Sequence, residues 1–450
     1  MLRIGIAFAL LMMLFVGDAH ADQGRWRAGV ARVNITPELP IWLSGYGGRN
    51  KPAETKHDDL WAKALVLEDS AGHRAALVTM DLVGIDRGLS QEMCRRIEER
   101  FKLPRAAVAL ATSHTHSGPV IRGNLMPMFN LNEDQSSRIG SYKEQLVDNL
   151  VNVVGEAIES IAPAKLSWGI GTATFAVNRR NNPEAKVPRL REEGKLIGPV
   201  DHDVPVLAVH AADGKLRAIV AGYACHATVL SDYFISADWP GAAQNELERR
   251  HPGTIALFWA GCGADQNPLP RRSIELMKKY GHEFADAVDA TLDTALAPVA
   301  PSLRTAYTEI DLPFAPLPTR AELELEAADG KPHGPWAKFL LAQWDRDGGL
   351  PATYPYPLQV WKLGNDLTWF FLGGEVVVDY ALRLKSEIGP KNTWIASYSN
   401  DVMGYIPSRR VLGEGGYEGG AARFPYGLPA VWGPNVEQLI IDAVHKLKID

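Results

Sequence analysis

The sequence has 450 residues, a formal net charge of −6, 46% hydrophobic residues and three cysteines. No basic stripe accompanies that mildly acidic balance, which sets nucleic acid aside as a partner, and the apolar fraction is ample for a large core. Cys94, Cys225 and Cys262 are too few for a disulfide scaffold and lack the paired spacing of a structural zinc knuckle; a Cys225–Cys262 bridge and buried free thiols both stay open.

Segment 1–21 joins Arg3 to an apolar run from Ile4 to Val16 and ends in Ala19-His20-Ala21, the layout of a secretory signal peptide cut after Ala21. The run falls short of the roughly 20 apolar residues needed to span a membrane, and no later run replaces it. The domain 22–450 is therefore expected to be secreted or periplasmic, with no transmembrane segment.

Arg27–Ile35 reads as a strand, and Leu60–Leu82 as a hairpin whose turn is Asp69-Ser70-Ala71-Gly72-His73. Met93, Ile97 and Phe101 give Ser90–Phe101 a helical period, and Ala106–Ala111 follows as a continuous apolar strand. Strand, helix and strand in that order predict a crossover between parallel neighbours. A second helix covers Tyr142–Ile161 and stops before Pro163. Strands at Val204–His210, Ala218–Ala224 and Ile255–Ala260 and helices at Gly241–Arg250 and Ser273–Ala295 continue the alternation. Residues 313–356, rich in Pro, Gly and charge, read as an insertion or lid; Gln359–Phe371 then resumes as a strand or hairpin and Val376–Ile388 as a helix. The fold class expected is α/β, a mixed, largely parallel sheet flanked by helices.

Chemistry concentrates where strands end. Ala111-Thr112-Ser113-His114-Thr115-His116-Ser117-Gly118-Pro119 follows a buried strand, and ligands of open α/β sheets bind beyond the carboxyl ends of strands. One of these two histidines suffices as a metal ligand, while the other serves the substrate or holds a ligand in place. The bland reading is a pair of polar residues at a strand end. His226, in Tyr223-Ala224-Cys225-His226-Ala227-Thr228, is a strand-end imidazole that suits zinc or a satisfied, partly buried histidine. Glu375, in Phe371-Leu372-Gly373-Gly374-Glu375, is a ligand or a glutamate favoured by a helix dipole. Tyr405 reads as core on chemistry alone. Asp81 could orient a ligand histidine, Asp238 reads as a helix cap, and Trp239, Trp344 and Trp361 are pocket lining or core.

Together these features resemble the neutral/alkaline ceramidase family. Ala28-Gly29-Val30-Ala31-Arg32-Val33-Asn34-Ile35-Thr36-Pro37 with Ser44-Gly45-Tyr46-Gly47 looks like that family's first strand and glycine loop, and His-Thr-His-Ser-Gly-Pro is its hallmark. The resemblance implies one Zn2+ per chain on His114, His226, Glu375 and Tyr405, a substrate-site Arg179 and a second active-site tyrosine, Tyr417. It departs at the turn where the family has a serine: here the residues are Gly263-Ala264-Asp265-Gln266-Asn267-Pro268. The immunoglobulin-like β domain that follows in ceramidases has no counterpart in the sequence, so the resemblance covers the catalytic domain alone.

Zinc on such a ligand set keeps a position for water and lowers its pKa to about 7. The expected activity is thus cleavage of a ceramide-like N-acyl amide by zinc-bound hydroxide, without a serine. His116 and Tyr417 would stabilise the oxyanion or shuttle protons, Arg179 would orient the substrate, and Asp265 and Gln266 would hold water or substrate in place of the serine turn. Two alternatives stand beside this: a hydrolase of an N-acyl amino sugar or other small polar amide, and a binding protein without turnover. The partner is a small-molecule or lipid substrate; oligomeric state leaves no signature in the sequence.

Overall fold

Residues 25–447 are described in this computed structural model, so the signal-peptide reading at 1–21 lies outside them. The first sheet contains β1 (Trp26–Asn34), β2 (Trp61–Glu68), β3 (Arg74–Met80), β4 (Val108–Thr112), β5 (Ala162–Thr172), β6 (Asp203–Ala211), β7 (Leu216–Tyr223) and β8 (Ile255–Ala260). Their spatial order is β8-β7-β6-β5-β1-β2-β3-β4, with the short strand Ala297–Pro298 beside β5. Its helices are α1 (Arg87–Phe101), α2 (Glu133–Glu159), α3 (Asp238–Arg250) and α4 (Ile274–Leu292). The second sheet takes β9 (Leu303–Pro313), β10 (Thr353–Leu363), β11 (Leu367–Leu372) and β12 (Thr393–Ala396) in sequence order. Between β9 and β10 lie α5 (Arg320–Glu326) and α6 (Gly334–Asp347), and α7 (Val378–Ile388) and α8 (Val436–Lys446) follow.

The period-2 alternation of the strands sets the layers. Along β2, Ala62, Ala64 and Val66 turn into a cluster with α1 and α2, while Leu65 and Leu67 turn into one shared with Trp361, Trp369 and Trp394 of the second sheet. α3 and α4 cover Val206, Ala221 and Phe258 in the same manner. The far face of the second sheet, with Leu358, Val360 and Phe370, packs on Tyr380 and Leu384 of α7 and Ile440 and Val444 of α8. The result is four layers: helices, sheet, sheet, helices.

The α/β class and the mixed sheet are as expected, but the sheet is not largely parallel. The parallel pairs are β3–β4 and β7–β8, each joined by a helical crossover; β1–β2, β2–β3, β1–β5, β5–β6 and β6–β7 are antiparallel. Short turns at 69–73 and 212–215 permit only antiparallel neighbours, and β5, half exposed and broken by Gly169 and Gly171, lacks an apolar run to announce it. α2 begins at Glu133 rather than Tyr142, because Asn132 and Gln135 form a reciprocal cap ahead of the apolar stripe. Residues 313 and 353–356 belong to β9 and β10, which pair Pro313 with Thr353, so the excursion between them is helical and shorter than 313–356.

The first sheet curls until its edge strands β4 and β8 approach each other. The segment after β12 closes the gap. Thr112 N–H donates to Tyr398 O (3.2 Å), Asn400 N–H to Leu110 O (2.7 Å) and Ser397 N–H to Ala260 O (2.9 Å), tying both edges to one stretch of chain. Strand ends that are far apart in sheet order thereby meet.

Candidate metal centre

His114 leaves the end of β4 with φ of 60°. Residues two apart along an extended chain share a side, and His114 and His116 do so despite the left-handed turn; their Nε2 atoms are 3.1 Å apart. His226 leaves the end of β7. The turn at Gly263 lies directly against it: a Cβ on Gly263 would sit 2.6 Å from Cys225 N, so only glycine admits this approach. Glu375 follows β11 and pairs with Tyr405 in a short parallel bridge.

Both ligand-type histidines have their tautomers fixed from behind. His114 Nδ1–H donates to Val83 O (2.5 Å) and His226 Nδ1–H to Gly263 O (2.7 Å), which leaves each Nε2 as a bare lone pair. Those two lone pairs face the same oxygen, Glu375 Oε2, at 3.1 and 3.2 Å, and Tyr405 Oη lies 3.3 Å from His226 Nε2. Glu375 is 2% exposed, and its Oε2 has no hydrogen-bond donor. Acceptors converging on one buried point suit a cation, and the set of two imidazoles, a carboxylate and a phenol oxygen could hold a divalent transition ion such as zinc. His114, His116 and His226 also form a metal-holding group by proximity alone. Burial, with Arg179 second, pushes His226 down to about 4, and burial with His114 holds His116 well below the usual imidazole range; both are uncharged at neutral pH.

The surrounding groups are equally definite. Tyr426 Oη–H donates to Glu375 Oε1 at 2.6 Å. Arg179 donates from Nη2 to Tyr405 Oη (3.0 Å), from Nη1 to Asn267 Oδ1 (3.2 Å) and from Nε to Glu418 Oε1 (2.7 Å). Tyr417, 47% exposed, sits edge-on to Tyr405 with centroids 5.2 Å apart. His116 Nδ1 is buried without a partner. Its ring packs against Tyr46 (centroids 4.7 Å), whose own ring carries the Arg49 guanidinium at 4.9 Å, and Arg49 Nη1 donates to His116 O at 2.6 Å.

The structure therefore gathers His114, His116, His226, Glu375, Tyr405, Tyr417 and Arg179. Asp265 and Gln266 lie beside them but turn into the framework. Asp265 accepts Val378 N–H (2.9 Å) and Asn178 Nδ2–H (3.0 Å), while Gln266 bonds Asp201 N–H and Ala224 O. From that turn it is Asn267 that reaches Arg179. Asp81 accepts Trp61 N–H rather than a ligand histidine, Asp238 gathers the N–H groups of Val229, Leu230 and Trp239, and Trp239 and Trp361 are core. Cys225 and Cys262 are free and buried in different clusters. Sequence reasoning missed Tyr426, Asn267, Arg49 and Glu418; only the charge clustering of Arg179-Arg180 against Glu414 and Glu418 was there to read.

Residues 26–268 match the family described as neutral/alkaline non-lysosomal ceramidase, N-terminal. Neutral ceramidase of Drosophila pseudoobscura pseudoobscura is 24% identical over 271 residues, 58% of this chain and 38% of that protein. The Drosophila melanogaster neutral ceramidase is 23% identical over 251 residues, 53% and 35%. The matched region thus spans little more than a third of the length of these curated relatives. Among solved structures, neutral ceramidase from Pseudomonas aeruginosa superposes with a TM-score of 0.72 at 20% identity, covering 95% of this chain and 76% of that one. A ceramidase complexed with C2 gives 0.71 at 18% identity with the same coverage. Both describe the same fold.

Proposed function

The chain belongs to the neutral/alkaline ceramidase family, whose match covers more than half of its length, and from that premise we propose that it is an exported, zinc-dependent hydrolase of an N-acyl amide. The observation that carries the metal is the convergence of His114 Nε2 and His226 Nε2 on Glu375 Oε2 at 3.1 and 3.2 Å, with Tyr405 Oη 3.3 Å from His226 Nε2. Domain 22–450 is read as the unit that bears the activity, preceded by the cleaved peptide 1–21.

A divalent cation held there supplies a Lewis acid for the amide carbonyl and a source of acidified water. Hydrolysis joins the water oxygen to the acyl carbon, breaks the carbon–nitrogen bond and delivers one proton to the leaving nitrogen. His116 is the group suited to carry that proton, since it is neutral and its Nδ1 is unengaged. Tyr417, exposed at the mouth, donates to the developing oxyanion. Arg179 holds the Tyr405 oxygen in place and presents its remaining N–H groups to the substrate. Asp265 and Gln266 act as positioning residues that fix the 263–267 turn behind His226.

Elemental analysis of the mature protein and of His226→Ala tests this reading, with both assayed on short-chain ceramide and N-acetyl amino sugars. One zinc per chain, lost in the variant together with amide cleavage, is expected. A wild-type protein that binds no metal and is not activated by added zinc would overturn it.

A further inference from the structure

Beside Tyr417 and Arg179 the surface opens into a cleft of about 480 Å³ whose walls include Arg180, Arg271, Asn182 and Asn267. Pairing within the cleft leaves positive charge over. Arg179 and Arg180 share Glu418, and Arg180 also holds Glu414. Arg271 and Arg272 both lean on the single carboxylate of Glu184. Arg410, which also reaches Glu414, is matched by Asp379. Arg271 spends Nε and Nη2 on Glu184, and its Nη1 makes no hydrogen bond among the described residues. Its side chain is 17% exposed, so the guanidinium is held in one pose with one edge facing the cleft.

The flank at Tyr46 and Tyr426 has the opposite character. A Cβ on Gly47 would meet Met128 Cε at 3.2 Å, and one on Gly427 would meet Phe339 and Pro127. Phe339 is 39% exposed. A substrate seated over the metal centre therefore meets apolar surface on one side and, on the other, a guanidinium that shares its one carboxylate with Arg272 and keeps Nη1 free among the described residues. A neutral head group would leave Arg271 Nη1 to water, whereas a carboxylate would gain a charge-assisted, directional partner.

Granted the hydrolase reading, we propose that the substrate is an N-acyl amine whose amine portion carries an anionic group, such as an N-acyl amino acid. The acyl chain lies along Met128 and Phe339, and the anion bonds Arg271. Water adds across the amide, its oxygen going to the acyl carbon and a proton to nitrogen, so that a fatty acid and an amino acid are released.

The test compares N-dodecanoylglycine, N-dodecanoylethanolamine and a short-chain ceramide on the zinc-loaded protein, on Arg271→Gln and on Arg271→Lys. Wild type should favour the glycine conjugate over the ethanolamide by at least about tenfold in kcat/KM. Arg271→Gln should collapse that ratio toward one by raising KM for the anion, and Arg271→Lys should keep part of it. Calorimetric binding of the two dodecanoyl compounds reads the subsite without turnover. Ethanolamide or ceramide cleaved as well as the glycine conjugate, or equal binding of charged and neutral compounds, would overturn the anionic assignment and leave the hydrolase standing. Charge-selective binding with no amide cleaved would support the subsite and reject the hydrolase.

Discussion

Tyr426 offers a sharp test of the proposed metal centre, because it touches Glu375 and would not touch the ion. Its hydroxyl donates to Glu375 Oε1 at 2.6 Å, on the far side of the carboxylate from the oxygen that faces His114 and His226. Tyr426→Phe keeps the ring, packed 6.3 Å from Tyr405, and deletes only the donor. Hydrogen bonds to charged groups are worth about 1.5–3 kcal/mol, which corresponds to roughly 10- to 150-fold in an equilibrium constant, and groups that orient metal ligands typically account for about 10–100-fold in affinity. The zinc dissociation constant, measured by competition with a chromogenic chelator, should therefore rise by between one and two orders of magnitude, with kcat falling at limiting zinc and recovering at excess. A variant that holds zinc as tightly as wild type would show that Tyr426 does not orient Glu375 as a ligand.

Gly45 has φ of 95°, and a Cβ there would lie 2.5 Å from His116 Cγ, so Gly45→Ala should cost about 1–3 kcal/mol of stability in urea denaturation and lower kcat while zinc content stays at one per chain. Burial, opposed by the Tyr354 hydroxyl and reinforced by Asp86, pushes Asp401 up to about 7. The folded state then keeps a proton that the unfolded chain releases near pH 4, so this contribution is complete below about pH 4 and is lost as pH rises through 7; Asp401→Asn should gain on wild type by about 2–4 kcal/mol between pH 5 and pH 8, and a gap that does not move with pH would refute the assignment. Gln359 donates to Ala106 O and Val108 O and accepts from Asn400; Gln359→Leu strands these buried groups and should lower stability by about 2–3 kcal/mol, read as a shift in the denaturation midpoint.

The strands that became buried on both faces were legible as apolar runs: Leu65–Leu67, Leu77–Val78 and Val108–Ala111 have no exposed side chain, and continuous hydrophobicity is what such positions require. β5 was not, because an edge of its surface stays wet and its glycines accommodate α4: a Cβ on Gly171 would strike Thr291 and Ala287. Packing between distant segments dictates those residues, and a local window carries no trace of it. The same division holds at the site. His114, His226 and Glu375 stand at strand ends with motifs of their own, whereas Tyr426, Arg49 and Asn267 act through partners 51, 67 and 88 positions away, separations that no spacing rule reaches.

The backbone at His114 is the most instructive, because the chain leaves the strand conformation there. A non-glycine residue in the left-handed region costs about 1–3 kcal/mol and persists only where surroundings over-determine it. His114 at 60°, Tyr398 at 52° and Asn400 at 65° all adopt it, and all three lie within one hydrogen-bonded patch: Tyr398 O accepts from Thr112, Asn400 N–H donates to Leu110, and the Tyr398 ring lies 4.3 Å from that of His114. Relaxing His114 to an extended conformation would turn its imidazole away from Glu375 and break the Val83 contact that fixes its tautomer. The strain therefore sits where two strand edges and the closing segment must deliver three imidazoles to one point. It is the bridging of β4 and β8 by residues 396–400, rather than the His-Thr-His triplet by itself, that brings the three imidazoles together.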